Sequence, residues 1–116
     1  MPSTGNVPLS EVKADLFKAL AHPARIRVLE VLSDGESSVG AMQQIVGIES
    51  SNLSQQLGVL RRAGLVSARK DGSTVYYSLK DPLVGELLLV AKRFLLHSLA
   101  ETTDLLADLR TSVSGR

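Results

Sequence analysis

Apolar residues at three-and-four spacing open the organised part of the chain. Val12, Leu16, Phe17 and Leu20 recur at helical intervals behind Ser10, a residue able to cap, with Glu11 in the first turn; a first helix is predicted from Leu9. Pro23 suits the first position of a second helix, which turns Ile26, Leu29 and Leu32 inward and ends at Asp34-Gly35. His22, directly before that proline, is placed to help cap it. Ser37 or Ser38 opens a short third helix over Val39–Val46, burying Met42 and one of Ile45 and Val46, and Gly47 stops it. A fourth helix starts at Ser50 or Ser51, carries Leu53, Leu57 and Leu60 on one stripe, and stops at Gly64. The period then changes to two. Val66–Lys70 and Thr74–Leu79, with Val75, Tyr77 and Leu79 on one face, flank Asp71-Gly72-Ser73, a strong hairpin signal. Asp81-Pro82 then starts a last helix, from Leu83 to Leu109, on the order of 40 Å long at about 1.5 Å per residue.

That last helix is unusually apolar. Leu83, Val84, Leu87, Leu88, Leu89, Val90, Phe94, Leu95, Leu96, Leu99, Leu105, Leu106 and Leu109 cover more than one stripe. A domain this small needs only one stripe to close its core, so a second face implies a partner helix, and the economical partner is the same helix of a second copy about a twofold axis. Residues 1–8, with Pro2, Gly5 and Pro8 among small polar groups, have nothing to bury and are expected to be a flexible arm. The domain is expected over residues 9–110, with residues 111–116 as a flexible tail.

The polar side of the fourth helix is the informative one. Opposite Leu53, Leu57 and Leu60 stand Ser51, Gln55, Gly58 and Arg62, flanked by Asn52, Ser54, Gln56 and Arg61. Amides and hydroxyls donate and accept at base edges, Arg meets guanine or phosphate, and an α-helix fits a major groove roughly 12 Å wide. Net charge is only +1, yet residues 49–80 hold Arg61, Arg62, Arg69, Lys70 and Lys80 against Glu49 and Asp71, a local +3. Arg69 and Lys70 lie beside the hairpin turn, in reach of backbone or minor groove. Short helix, tight join, polar-faced helix and basic hairpin inside one basic window make a winged helix-turn-helix: a mainly α fold of order α1-α2-α3-α4-β-β-α5.

At this point the chain resembles the arsenic-repressor-like (ArsR/SmtB) family of winged helix-turn-helix regulators over about residues 9 to 100. The likeness rests on "FKALAHPARIRVLEVL", on "SSNLSQQLGVLRRAGLVSARKDGSTVYYSL" and on the spacing between them. It implies a homodimer joined by the first and last helices, through such residues as Leu16, Leu88, Phe94, Leu95 and Leu99. It also implies Ser51, Asn52, Ser54, Gln55 and Gln56 on the recognition helix, Arg69 and Lys70 on the wing, a pseudo-palindromic double-stranded DNA operator, and repression released by an inducer. Gln56 stands where the family commonly has histidine and Gly58 where it commonly has lysine, the glycine costing the helix roughly 1 kcal/mol.

The chain has no cysteine, so the family's thiolate site on the third helix is lost, along with disulfides and Cys nucleophiles. The family's alternative metal site on the last helix is only half kept. With His97 as its later histidine, Glu86 lies eleven residues back but Val84 thirteen back, and Ala100 three forward. A variant set of Glu86, His97, Glu101 and Asp104 for nickel, cobalt or zinc competes with an ordinary surface histidine. No metal or cofactor is required by the reading. There is also no phosphate loop, no Gly-x-Ser-x-Gly and no His-acid cluster of catalytic spacing, which argues against an enzyme.

Aromatics are scarce at 3%, so the core must come from aliphatics, and 22% charge with 44% apolar residues fits a soluble single domain. No stretch approaches the ~20 apolar residues of a membrane span, and the start lacks the pattern of a signal peptide, so a cytoplasmic protein with no membrane partner is expected. Two rival readings stand beside the repressor: a DNA-binding regulator or activator whose sensing is delegated to a companion protein, and a protein-interaction module built on the long apolar helix.

Overall fold

The computed structural model of the protein describes residues 7–114. Five helices and a small sheet follow in the order α1 (Leu9–Leu20), α2 (Pro23–Ser33), β1 (Ser37–Ser38), α3 (Val39–Val46), α4 (Ser50–Arg62), β2 (Val66–Asp71), β3 (Thr74–Leu79) and α5 (Pro82–Ser114). One compact unit runs up to Gly85 and a second is formed by α5 from Glu86 onward. Of the expected arm, residues 1–6 lie outside the described residues. So do residues 115 and 116 of the expected tail, while α5 continues through the rest of that tail to Ser114.

The core of the first unit is aliphatic. Val28, Leu29 and Leu32 of α2, Met42 and Val46 of α3, Leu53, Leu57 and Leu60 of α4, and Leu65 and Val66 at the start of the wing are all buried. Burying each large side chain stabilises by about 1.5–3 kcal/mol, so the α4 stripe alone is a major part of what holds the recognition unit together. Helix α2 is its centre, packing on α3, α4 and β3. Of the two alternatives on α3, Val46 is inside and Ile45 is exposed.

Helix α1 keeps little of its apolar stripe inside the first unit. Only Leu20 of its four apolar positions is buried, Leu16 is half-buried, and Val12 and Phe17 are exposed. Ser10 does not cap it: the helix begins at Leu9, after Pro8, with no side-chain cap. Likewise α4 follows Glu49 without a side-chain cap, so neither Ser50 nor Ser51 serves as one.

Other ends behave as the residue types demand. His22 Nδ1 accepts from the Ala24 amide at 3.1 Å, Ser38 Oγ accepts from the Ala41 amide at 3.2 Å, and Asp81 Oδ1 accepts from the Leu83 amide at 2.9 Å. Helix α4 ends in a Schellman motif. The amide of Gly64, at φ 76°, donates to Arg61 O, and that of Leu65 donates to Leu60 O, both at 3.0 Å. That turn throws the chain directly into β2 with Leu65 inside.

The sheet has three antiparallel strands in the order β1-β3-β2, one more than expected. Ser37 and Ser38 pair with Tyr77 and Tyr76, too short a run to show as a period in the sequence. In the wing, Asp71 pairs with Thr74, so the turn is only Gly72-Ser73, with Gly72 at φ 63° as a two-residue hairpin requires.

Candidate nucleic-acid interface

Leu53, Leu57 and Leu60 anchor α4 from below, which turns Ser51, Ser54 and Gln55 outward into solvent, with Arg61 and Arg62 exposed at its C-terminal end. Asn52 is half-buried at the edge of that surface. The helix therefore offers hydroxyls and amides along its N-terminal half, the part that meets base edges in helix-turn-helix complexes, and cations at its far end. Gly58 leaves room for one of them: a Cβ there would stand 3.2 Å from Arg62 Nη1, so the arginine lies back over the glycine.

Gln56 does not belong to this outward surface. It is 6% exposed, the one buried polar residue among the described residues, because its position also faces α2. Its Oε1 accepts from Arg25 Nε at 2.9 Å, and its Nε2 donates to Asn52 Oδ1 at 3.0 Å. Arg25 in turn donates through Nη1 to the carbonyls of Ala19, at 2.9 Å, and Lys18, at 3.4 Å. One guanidinium thus closes the end of α1, stands on α2 and grips α4. Arg27, two residues on, donates to Val46 O at 2.7 Å and Ile45 O at 3.0 Å, satisfying the last carbonyls of α3. Both arginines lie outside the basic window and carry no sequence pattern of their own.

Arg69 also has a different employment from the one expected. Its Nε and Nη2 each donate to the Glu36 carboxylate at 2.7 Å, a bidentate pair, and its Cζ lies 4.5 Å from the centroid of the Tyr76 ring. Tyr76 sits on the central strand between Arg69 on β2 and Ser38 on β1, so the guanidinium crosses the sheet over a ring face to reach the residue just before β1. Hydrogen bonding from Arg69 is the main reason the Glu36 carboxyl is held below the usual carboxylate range, with the cation's charge adding to it, and the same bond raises the arginine further. Asp71 Oδ2 stands 3.9 Å from Nη1. Lys70, at the neighbouring position, is exposed and has no such clasp.

Residues 20–69 match a helix-turn-helix domain family. The chain is 54% identical over 109 residues to an uncharacterized HTH-type transcriptional regulator of Mycobacterium tuberculosis, Rv0081, covering 93% of this chain and 96% of that one. The crystal structure of Rv0081 superposes with a TM-score of 0.77 over 84% of this chain and 99% of that one. A homodimeric winged helix-turn-helix DNA-binding domain from Mycobacterium bovis, a possible ArsR-family transcriptional regulator, is 29% identical with a TM-score of 0.75, covering 86% of this chain and 93% of that one. The chain belongs to the ArsR/SmtB family of winged helix-turn-helix transcriptional regulators. A biofilm growth-associated repressor of Agrobacterium fabrum is 39% identical over 90 residues, 72% of this chain and 77% of the repressor.

As an ArsR/SmtB regulator the chain is missing that family's thiolates, since it contains no cysteine, and the residues of α3 do not fit a thiolate-held metal. On α5, His97 Nε2 and Glu101 Oε1 are 3.1 Å apart at exposed positions. Glu86 and Asp104 do not join them: among the described residues no three His, Asp or Glu side chains are grouped to hold an ion. None of the described helices is long and apolar enough to cross a membrane.

Proposed function

We propose that this regulator acts as a cytoplasmic homodimeric repressor that reads a pseudo-palindromic operator with α4 and steadies itself on the flanking backbone with the wing. One observation carries the reading. A helix fixed from below by three buried leucines turns hydroxyls and amides outward along its N-terminal half and arginines at its end. Ser51, Asn52, Ser54 and Gln55 take the base edges, and Arg61, Arg62 and Lys70 the phosphates.

Two copies are needed because large apolar side chains of α1 and α5 have no cover among the described residues. Phe94, Leu95 and Leu99 of α5 are 68%, 64% and 61% exposed, and Val12 and Phe17 of α1 are exposed too, while Leu16 and Leu88 are half-buried. On α5 these apolar side chains recur along the helix rather than standing singly, as a partner-binding face requires. The dimeric M. bovis relative supports a second copy as the cover, and the A. fabrum repressor supports the sign of regulation. Twofold symmetry then places half-site centres about 10 or 20 bp apart.

Sedimentation of the purified protein together with selection of binding sites from a random DNA pool tests this. A dimer that enriches an inverted repeat is expected; a monomer, or a pool that never departs from random, sinks the proposal. A second reading, that sensing is delegated to a companion protein, is favoured by the absence of cysteine from a family that senses with thiolates. Calorimetry with nickel, cobalt and zinc decides it. Sub-micromolar binding that alters operator affinity contradicts delegation, and no heat from any of the three supports it.

A further inference from the structure

The chain of contacts from Arg25 to Asn52 has a direction that chemistry alone sets. A guanidinium has only donors, so Gln56 must turn its carbonyl oxygen towards Arg25 Nε, 2.9 Å away. The other prong of the same amide is then an NH₂ group, and it points at Asn52, which can meet it only with Oδ1, at 3.0 Å. Asn52 is left with its Nδ2 prong free of Gln56, and that nitrogen has no partner among the described residues. The starting point is itself held, because Arg25 donates to the carbonyls of Lys18 and Ala19 at the end of α1. Side-chain amides on a solvent surface normally turn over freely; this one is wired to a cation two residues removed along the relay.

We infer that Asn52 is a specificity-determining residue whose reading polarity is set by Arg25 through Gln56, so that it presents donors to a base-edge acceptor pair, the O6 and N7 of a guanine in the major groove. The inference rests on the proposed DNA reading by α4. It adds that Gln56, although it touches no base, positions the residue that does. Cytosine, whose major-groove edge is a donor, meets a like group and is rejected, and adenine, with one acceptor and one donor, is served by half. Discrimination for guanine at this position should be about tenfold or more, the scale of one good base contact.

The relay predicts an inversion rather than a loss. In Gln56→Glu the side chain still accepts from Arg25 but has nothing to donate, so Asn52 must turn its NH₂ inward and its oxygen outward. The test is selection from a random DNA pool with the wild-type dimer and with Gln56→Glu, Asn52→Ala and Asn52→Asp, each checked by thermal melting. The wild type should select a guanine in each half-site that Asn52→Ala no longer selects. Gln56→Glu should replace it by adenine or cytosine, bases that offer a donor, with the rest of the site unchanged.

Asn52→Asp keeps the bond from Gln56 and presents an oxygen outward without disturbing the core. It should make the same replacement, and so decides the matter even if Gln56→Glu melts too low to use. An unchanged guanine in the variants, or a wild-type site with no position that depends on Asn52, overturns the inference while leaving DNA binding intact. A wild type that selects nothing sinks the proposed function as well.

Discussion

Substituting Glu36 should strengthen DNA binding, although Glu36 is an acidic residue outside the recognition helix. The Glu36 carboxylate takes two of the Arg69 guanidinium's edges at 2.7 Å, and the Tyr76 ring takes its face. A phosphate must displace that carboxylate to be met by the same fork. If Arg61, Arg62, Arg69 and Lys70 of both protomers all met phosphates, eight contacts at about 0.9 each would give a salt slope near −7. With Arg69 clasped, six contacts remain and the bound falls to about −5.4. Glu36→Gln removes the charge that holds the fork and returns the two contacts, steepening the slope by about 1.8, so affinity gained at 50 mM salt should exceed that gained at 200 mM by about twelvefold.

Operator affinity measured by fluorescence anisotropy across a salt series reads the slope directly. Wild type and Arg69→Ala should share a slope, Lys70→Ala should be shallower by about 1.8, and Glu36→Gln steeper by about as much. The reasoning is refuted if Arg69→Ala flattens the slope while Glu36→Gln leaves it unchanged, because Arg69 would then reach phosphate with Glu36 in place. Acidity offers a second handle. The clasp holds the Glu36 carboxyl below its usual range, so its contribution is fully present above the unfolded carboxylate value and is lost only as pH falls through the lower, folded one. The wild-type slope should therefore stay constant from pH 8 down to about pH 5, above the ordinary carboxylate range.

Gly58→Ala should stabilise the protein by up to about 1 kcal/mol, raising the melting midpoint by several degrees, since the added Cβ meets only the end of the flexible Arg62 side chain. A lower midpoint would mean the Arg62–Gly58 contact is worth more than the helix propensity of alanine. Leu57→Ala removes a side chain that is 1% exposed at the middle of the α4 stripe and should cost about 2–5 kcal/mol, seen as an early urea midpoint. Leu95→Asp puts a charge on the exposed face of α5 and should give a monomer in sedimentation that no longer shifts operator DNA; a dimer of unchanged stability would place the partner surface elsewhere.

The fold was legible wherever one period ran long enough to dominate. Three leucines at i, i+4 and i+7 with a glycine behind them located α4 and its end, and alternation around Asp71-Gly72 located the wing. Strand β1 was not legible because two serines carry no period, and they become a strand only when Tyr76 and Tyr77 arrive beside them. The same limit explains α1. Its apolar stripe marked a helix correctly, but periodicity reports which residues seek cover and not whether the cover lies in the same chain, and Val12 and Phe17 find none there.

The candidate site divides along a related line. Outward residues of α4 follow from the wheel, since they are whatever the leucines are not. Gln56 broke that rule because the wheel treats each polar residue as facing solvent, whereas Arg25, thirty-one positions earlier, provides a polar partner inside. Arg69 broke it in the opposite sense: a basic residue in a basic window was read as seeking an external anion, while Glu36, on the far edge of the sheet, already supplies one. In both cases the deciding group is an opposite number distant in sequence and brought near only by the fold. The charge and polarity that a helix-turn-helix shows to DNA are therefore those left over after its internal pairs are made. On the proposed reading, Glu36 would tune operator affinity through Arg69, and Arg25 and Gln56 would tune operator preference through Asn52, although none of the three need touch a base.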